Sequence, residues 1–259
     1  MIDVLLDDLL AETRSLHTVV HPLDDATWDT PTPAPGWSIK DQMVHLAYFD
    51  EAQVRAMTDP EGFATERGDA IVDVDAFVDR VTLAHRAMKL ADVRDWFHRA
   101  RHELVKTARA ADPKGRVPWY GPDMTLASSI TARIMETWAH GQDIRDALGV
   151  PVEPSERLRH IAFLGQRAFA NSFLARGLPV PDVAVRVELD APDGGEWVFG
   201  PDDATQVVRG PALDFCLVVT QRRHPDDTAL VAEGDAAAQW LTIAQAFAGP
   251  PGAGRQAST

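Results

Sequence analysis

The chain is 259 residues long, with apolar residues at 45% and charged residues at 25%, which is ordinary for a soluble globular protein and enough for a sizeable core. Its formal net charge of −14, with Arg and Lys dispersed, argues against a nucleic-acid or anionic-membrane partner, because both bind through basic patches. The lone cysteine, Cys216, excludes an intramolecular disulfide framework and a Cys-rich zinc site, and the acidic start at Asp3, Asp7 and Asp8 is unlike a signal peptide, so a cytoplasmic location is expected.

Leu5, Leu6, Leu9, Leu10, Leu16 and Val20 mark the stripe of a first helix from Asp3 to about His21, stopped by Pro22. No run approaches the roughly 20 apolar residues of a membrane helix. Asp24 to Pro35 reads as an irregular connection anchored by Trp28. A second helix starts at Ser38, an N-cap with Asp41 at the favoured N3 position, and runs to about Thr58, where Asp59-Pro60-Glu61-Gly62 breaks it. The pattern from Asp73 to about Ala111 holds no Gly or Pro and predicts one long helix, or two with a bend near Ala91-Asp92. Asp112 to Gly115 ends it, and the aromatic lead from Val117 to Pro122 enters a fourth helix that spans Ala132 to Leu148 and stops at Gly149.

Beyond Pro151 the pattern changes to helix and strand. Ser155 to about Arg176 is predicted helical, and Val183 to Leu189 alternates as a strand. Ala191 to Gly195 makes a hairpin turn with Glu196 to Phe199 as the return strand. Gln206 to Arg209 is a third strand, Pro211 opens a helix to about Thr220, Thr228 to Ala232 is a fourth strand, and Asp235 caps a last helix to about Phe247. The switch sets a domain boundary near residue 152.

Glu136 and His140 stand four apart on the fourth helix and project from one face, where they could ligate a cation or make only a surface pair. His45, beside the stripe of Ile39, Met43 and Leu46, is the candidate third ligand, placed as a residue facing the interior of a bundle would be. His17/His21 and His98/His102 share the spacing, but His21 sits at a helix C-terminus and Arg99 and Arg101 repel a cation beside the second pair. Arg222 and Arg223 could grip an anionic substrate or answer a helix dipole. Cys216, amid Leu213, Phe215, Leu217 and Val218, reads as a buried structural thiol. There is no Gly-rich phosphate loop, Gly-x-Ser-x-Gly elbow or His-Glu-x-x-His pattern.

Pro35-Gly36-Trp37-Ser38 with Asp41 and His45-Leu46, then Glu136-x-x-x-His140 with Asp143-Ile144, resemble the DinB-like superfamily, and within it the mycothiol-dependent maleylpyruvate isomerase family. The resemblance implies a DinB-like four-helix bundle over residues 1–152 and a smaller α+β sterol-carrier-like domain over 153–250, and the small, polar residues of 251–259 are expected to form a disordered tail. It implies a divalent metal, zinc foremost, on His45, Glu136 and His140, with mycothiol or a similar thiol as cosubstrate. It also makes Arg222 the counterpart of an arginine that the family's second domain places near the substrate. The wording of residues 119–122 and 135–143 looks more like another branch of the family than the isomerase proper.

Three ligands leave a coordination position open, as in a catalytic zinc site. A thiol there becomes a thiolate near neutral pH, and since Cys216 is poorly placed the resemblance implies that mycothiol supplies it. The expected function is isomerisation or S-transfer on a small electrophile, by a monomer or homodimer without nucleic-acid or membrane partners. Two alternatives stay open: thiol-independent metal-hydroxide hydrolysis, and non-enzymatic binding of an apolar small molecule.

Overall fold

The stripe that begins at Leu5 becomes α1 (Ile2–Val20) in a computed structural model, which describes residues 2–68 and 73–258. Leu6, Leu9 and Leu16 on it are fully buried. α2 (Ile39–Thr58) opens with a capping box: the Ser38 hydroxyl accepts from the Asp41 N–H at 3.2 Å, and the Ser38 N–H donates to the Asp41 carboxylate at 2.9 Å. α2 stops at Thr58, broken at Asp59 to Gly62 as expected, and the same residues open another helix, α3 (Pro60–Glu66). Asp59 caps it by accepting from the Gly62 N–H at 3.0 Å, and Pro60 sits in the first turn, where a missing N–H costs nothing.

The long pattern after Asp73 divides into α4 (Val74–His85) and α5 (Leu90–Ala110), a few residues before the expected bend. Tertiary ties mark the division, since the Lys40 ammonium donates to the Arg86 carbonyl and the Arg86 guanidinium to the Gly36 carbonyl, each at 2.6 Å. The aromatic lead contains a small hairpin of β1 (Arg116–Val117) and β2 (Met124–Thr125), paired antiparallel. α6 (Leu126–Leu148) follows at once, capped by the Thr125 hydroxyl and closed by Gly149 at φ +66°, a left-handed conformation that glycine adopts without strain.

α1, α2, α5 and α6 are the four long helices of the bundle. α2 packs most extensively against α5 and α1 against α6, while α2 also meets α6. One apolar cluster gathers Leu16, Trp28, Ile39, Val93, Phe97 and Ile144, and another Leu6, Phe49, Phe63, Leu104, Ile130 and Ile134. Each such side chain stabilises the fold by about 1.5–3 kcal/mol on full burial. A charged layer is buried with them. Asp50 accepts from Arg101 Nε at 2.6 Å and Arg133 Nε at 3.0 Å, and Arg101 also donates to the Thr13 and Thr137 hydroxyls.

The chain divides into two compact units between Val152 and Glu153. In the second, the stretch expected to be helical from Ser155 to about Arg176 holds two helices, α7 (Leu158–Arg167) and α8 (Phe169–Leu174). The division falls at Ala168, whose N–H donates to the Leu164 carbonyl at 2.9 Å. β3 (Val185–Asp190) and β4 (Glu196–Phe199) form the expected hairpin, and β5 (Gln206–Pro211) lies parallel to β3 on its other side. α9 (Ala212–Val219) packs on α7, and Gly165 permits the approach, because a Cβ there would lie 2.8 Å from Val219 Cγ2. The last strand is β6 (Val231–Glu233), later than the expected 228–232, and completes the sheet order β4-β3-β5-β6. α10 (Asp235–Ile243) ends short of Phe247. Residues 249–258 carry no regular structure, and the Ser258 N–H donates to the Asp227 carboxylate at 2.9 Å. Among the described residues, no helix is long and apolar enough to cross a membrane.

Candidate metal centre

α2 and α6 meet along faces that carry His45 on one side and Glu136 and His140 on the other. The 3.6-residue period stacks Glu136 and His140 on successive turns, and the Ser38 cap sets the phase that brings His45 opposite them. His140 Nε2 lies 3.2 Å and His45 Nε2 3.5 Å from the same Glu136 oxygen, and the three donor atoms all lie within 4.8 Å of one another. Among the described residues this is the only group of His, Cys, Asp and Glu side chains so gathered. The side chains of His45, Glu136 and His140 are 12%, 25% and 11% exposed, so the cluster opens to solvent mainly through the carboxylate.

Burial lowers the His45 imidazole to about 4, helped by the charges of His140 and Arg133 and opposed by Glu136. It is therefore neutral at physiological pH and has a lone pair to give. Burial pushes the Glu136 carboxyl up, but hydrogen bonds from His140 and His45 and their charges outweigh it and hold the group well below the usual range. Two imidazoles and a carboxylate of this kind suit zinc or another divalent cation of similar preference.

Aromatic rings wall the cluster. The Trp37 ring stacks on His140 at 5.9 Å and lies 5.2 Å from His45, while Phe49 lies 4.5 Å from the His45 ring. Phe49 in turn touches Tyr120 at 5.5 Å, and burial together with Tyr48 raises the Tyr120 hydroxyl so that it stays protonated. His140 Nδ1 hydrogen-bonds to Gln42 Oε1, and the Gln42 amide nitrogen donates to the Thr32 hydroxyl at 2.9 Å.

The other sequence candidates are not among these three gathered donors. Arg222 belongs to the second unit, where its guanidinium donates to the Thr220 carbonyl at 2.6 Å, and Arg223 donates to the Arg222 carbonyl at 2.6 Å. Cys216 is fully buried, and burial pushes its thiol up, out of the reactive range. His17 has the rings of His21 and His98 at 4.8 and 5.4 Å, but these nitrogens form no gathered donor set, and His102 is exposed. Sequence reading assigned no role to Gln42, Thr32, Asp50 and Arg133, and took Arg101 only as a charge beside His98 and His102. For Gln42 the signal was available: it is a polar residue inside the buried stripe of Ile39, Met43 and Leu46.

Residues 9–145 match the family described as the mycothiol maleylpyruvate isomerase N-terminal domain, a span holding His45, Glu136 and His140. Residues 181–233 match a family described as wyosine base formation. Two proteins from two strains of Mycobacterium tuberculosis, each called an uncharacterized protein, are 45% identical over 250 residues, covering 96% of this chain and 96% of theirs. Among solved structures, the mycothiol-dependent maleylpyruvate isomerase aligns at TM-score 0.58 and 16% identity over 90% of this chain and 92% of that one. A mutant of the same isomerase, covering 89% and 92%, gives the same score. At that identity the likeness concerns the fold.

Proposed function

As the chain belongs to the mycothiol maleylpyruvate isomerase family, we propose that it is a metal-dependent enzyme that uses a low-molecular-weight thiol, mycothiol or one like it, for isomerisation or S-transfer on a small electrophile. The observation that carries this reading is the convergence of His45, Glu136 and His140 within 4.8 Å. Three protein donors leave room for an exogenous ligand, as catalytic zinc sites do. A divalent cation held by them would supply the Lewis acidity that makes a thiol a nucleophile at neutral pH.

The chain's own residues do the remainder. His45 is uncharged, as a ligating imidazole must be, and Glu136 brings the negative charge that offsets part of a dication's. Trp37 and Phe49 cover the imidazole faces and keep water from them. Cys216 is buried in the second unit with its thiol protonated, so the sulfur comes from outside the chain. Addition of that sulfur to an activated alkene, rotation and elimination would give cis-trans isomerisation, and displacement of a leaving group would give S-transfer. Arg222 is the proposed partner of an anionic group on the substrate.

The test uses purified full-length protein. Metal should be stoichiometric in the wild type and lost in both His45→Ala and His140→Ala. The cobalt-substituted protein titrated with mycothiol should develop an intense sulfur-to-metal band, and turnover should require thiol. Turnover of esters or amides that ignores thiol, with no band, would replace this reading with hydrolysis. Co-purified apolar ligand without metal would replace it with simple binding.

A further inference from the structure

Gln42 is fully buried between His140 and Thr32. Its amide nitrogen donates to the Thr32 hydroxyl at 2.9 Å, that hydroxyl donates to the Trp37 carbonyl at 2.9 Å, and its amide oxygen faces His140 Nδ1 within hydrogen-bonding reach. We propose that Gln42 and Thr32 are positioning residues that keep a proton on His140 Nδ1 and so leave the Nε2 lone pair to a cation. The proposal rests on the metal reading of the site.

Thr32 has one hydroxyl hydrogen. While it points at the Trp37 carbonyl, the Thr32 oxygen can only accept, so the amide end facing it is the NH2 and the end facing His140 is the carbonyl. A carbonyl opposite Nδ1 requires a hydrogen there. A neutral imidazole then carries its lone pair on Nε2, the nitrogen 3.2 Å from Glu136. Turned by half a rotation, Gln42 would donate to Nδ1 and accept from Thr32, and the His140 proton would move to Nε2. In that state His140 cannot ligate.

The Thr32 bond to Trp37 separates the two arrangements, and the backbone around it is pinned. The Thr32 N–H donates to the same Trp37 carbonyl at 2.8 Å, and the Ile39 N–H donates to the Thr30 carbonyl at 3.1 Å. Thr32 thus acts on the candidate ligand through Gln42, without touching it. Partners of this kind, one bond behind a ligating imidazole, are worth about 10–100-fold in metal affinity or activity.

Two readouts test this in full-length protein: zinc affinity by competition with a chromophoric chelator, and the imidazole nitrogens of His140 by proton–nitrogen NMR of the metal-free form in mildly alkaline buffer. Wild type should carry the His140 proton on Nδ1. Thr32→Val should move part of it to Nε2 and weaken zinc about tenfold, and Gln42→Leu should weaken it up to about a hundredfold. Gln42→Glu, which can only accept, should restore the Nδ1 proton and make an added Thr32→Val silent. A purely structural role would lower the melting temperature without moving the proton. A His140 Nδ1 that carries no proton in the wild type, or a Thr32→Val protein with unchanged proton position and zinc affinity, would overturn the proposal. Should Gln42→Leu fail to fold, Thr32→Val and Gln42→Glu decide it between them. A wild type that takes up no zinc would sink the metal reading, while the NMR measurement would still judge Gln42 and Thr32.

Discussion

Glu136 lies between two imidazoles, and it shares an acid-side liability with His45 when no metal is present. Unfolded, His45 takes up a proton near 6.5; folded, it does so only near 4. Between those values the unfolded chain binds the more protons, so acidification favours unfolding, by at most roughly 3 kcal/mol for this residue. Glu136 acts in the same direction. Its depressed carboxyl contributes stability that is present above the unfolded value of 4.5 and is lost as pH falls through the folded one. Urea titrations of metal-free protein should therefore show the midpoint falling from pH 6.5 to 4, and His45→Leu should flatten that section. A wild-type midpoint constant across the window would show that His45 titrates normally. At this scale the sequence was informative about the residues with ligand chemistry, because Glu136, His140 and His45 stand out by type and spacing. It marked Gln42 only as a polar residue inside an apolar stripe and was uninformative about Thr32, because the importance of both comes from which atom of each faces which, a matter of contact and not of period.

Among elements, the long helices were legible because α1, α2 and α6 bury continuous stripes and because Ser38 and Gly149 mark a start and a stop with distinct backbone chemistry. α3 and the β1–β2 hairpin were not, since both are short and held by contacts distant in sequence. Arg67 donates to the Trp119 carbonyl, and the Trp119 ring stacks on Phe63 at 6.1 Å. The charged layer inside the bundle was also hidden, because Asp50, Arg101 and Arg133 read as members of polar helix faces. In the fold they are 0%, 2% and 2% exposed, which makes their mutual satisfaction obligatory. Asp50→Ala strands two guanidinium groups and should cost about 3–5 kcal/mol by chemical denaturation. Removing the exposed Lys106–Glu103 pair through Lys106→Ala should cost less than about 1 kcal/mol. Equal losses from the two variants would mean that the buried layer is relaxed or hydrated.

Over the whole molecule, the similarity to the two mycobacterial proteins runs through 96% of the chain and therefore through both units, whereas the isomerase-type family match ends at residue 145. The proposed role of Arg222 is the one that requires the second unit for turnover. Arg222→Ala should keep stoichiometric metal and lower kcat/KM at least about tenfold, the loss of one interaction of roughly 1.4 kcal/mol in the transition state. Undiminished kcat/KM would remove Arg222 from the mechanism. Cys216, the single sulfhydryl of the chain, lies at 0% exposure beneath Leu158, whose carbonyl its Sγ meets at 3.4 Å. A catalyst that works with a cellular redox buffer is exposed to that buffer's oxidised form, and an accessible cysteine would be capped as a mixed disulfide. The folded protein should gain no mass when incubated with oxidised mycothiol, and one adduct should form only after denaturation. Under the proposed thiol-dependent function, its activity would then follow the supply of reduced cosubstrate during oxidative stress, with no second penalty from thiolation of the chain itself.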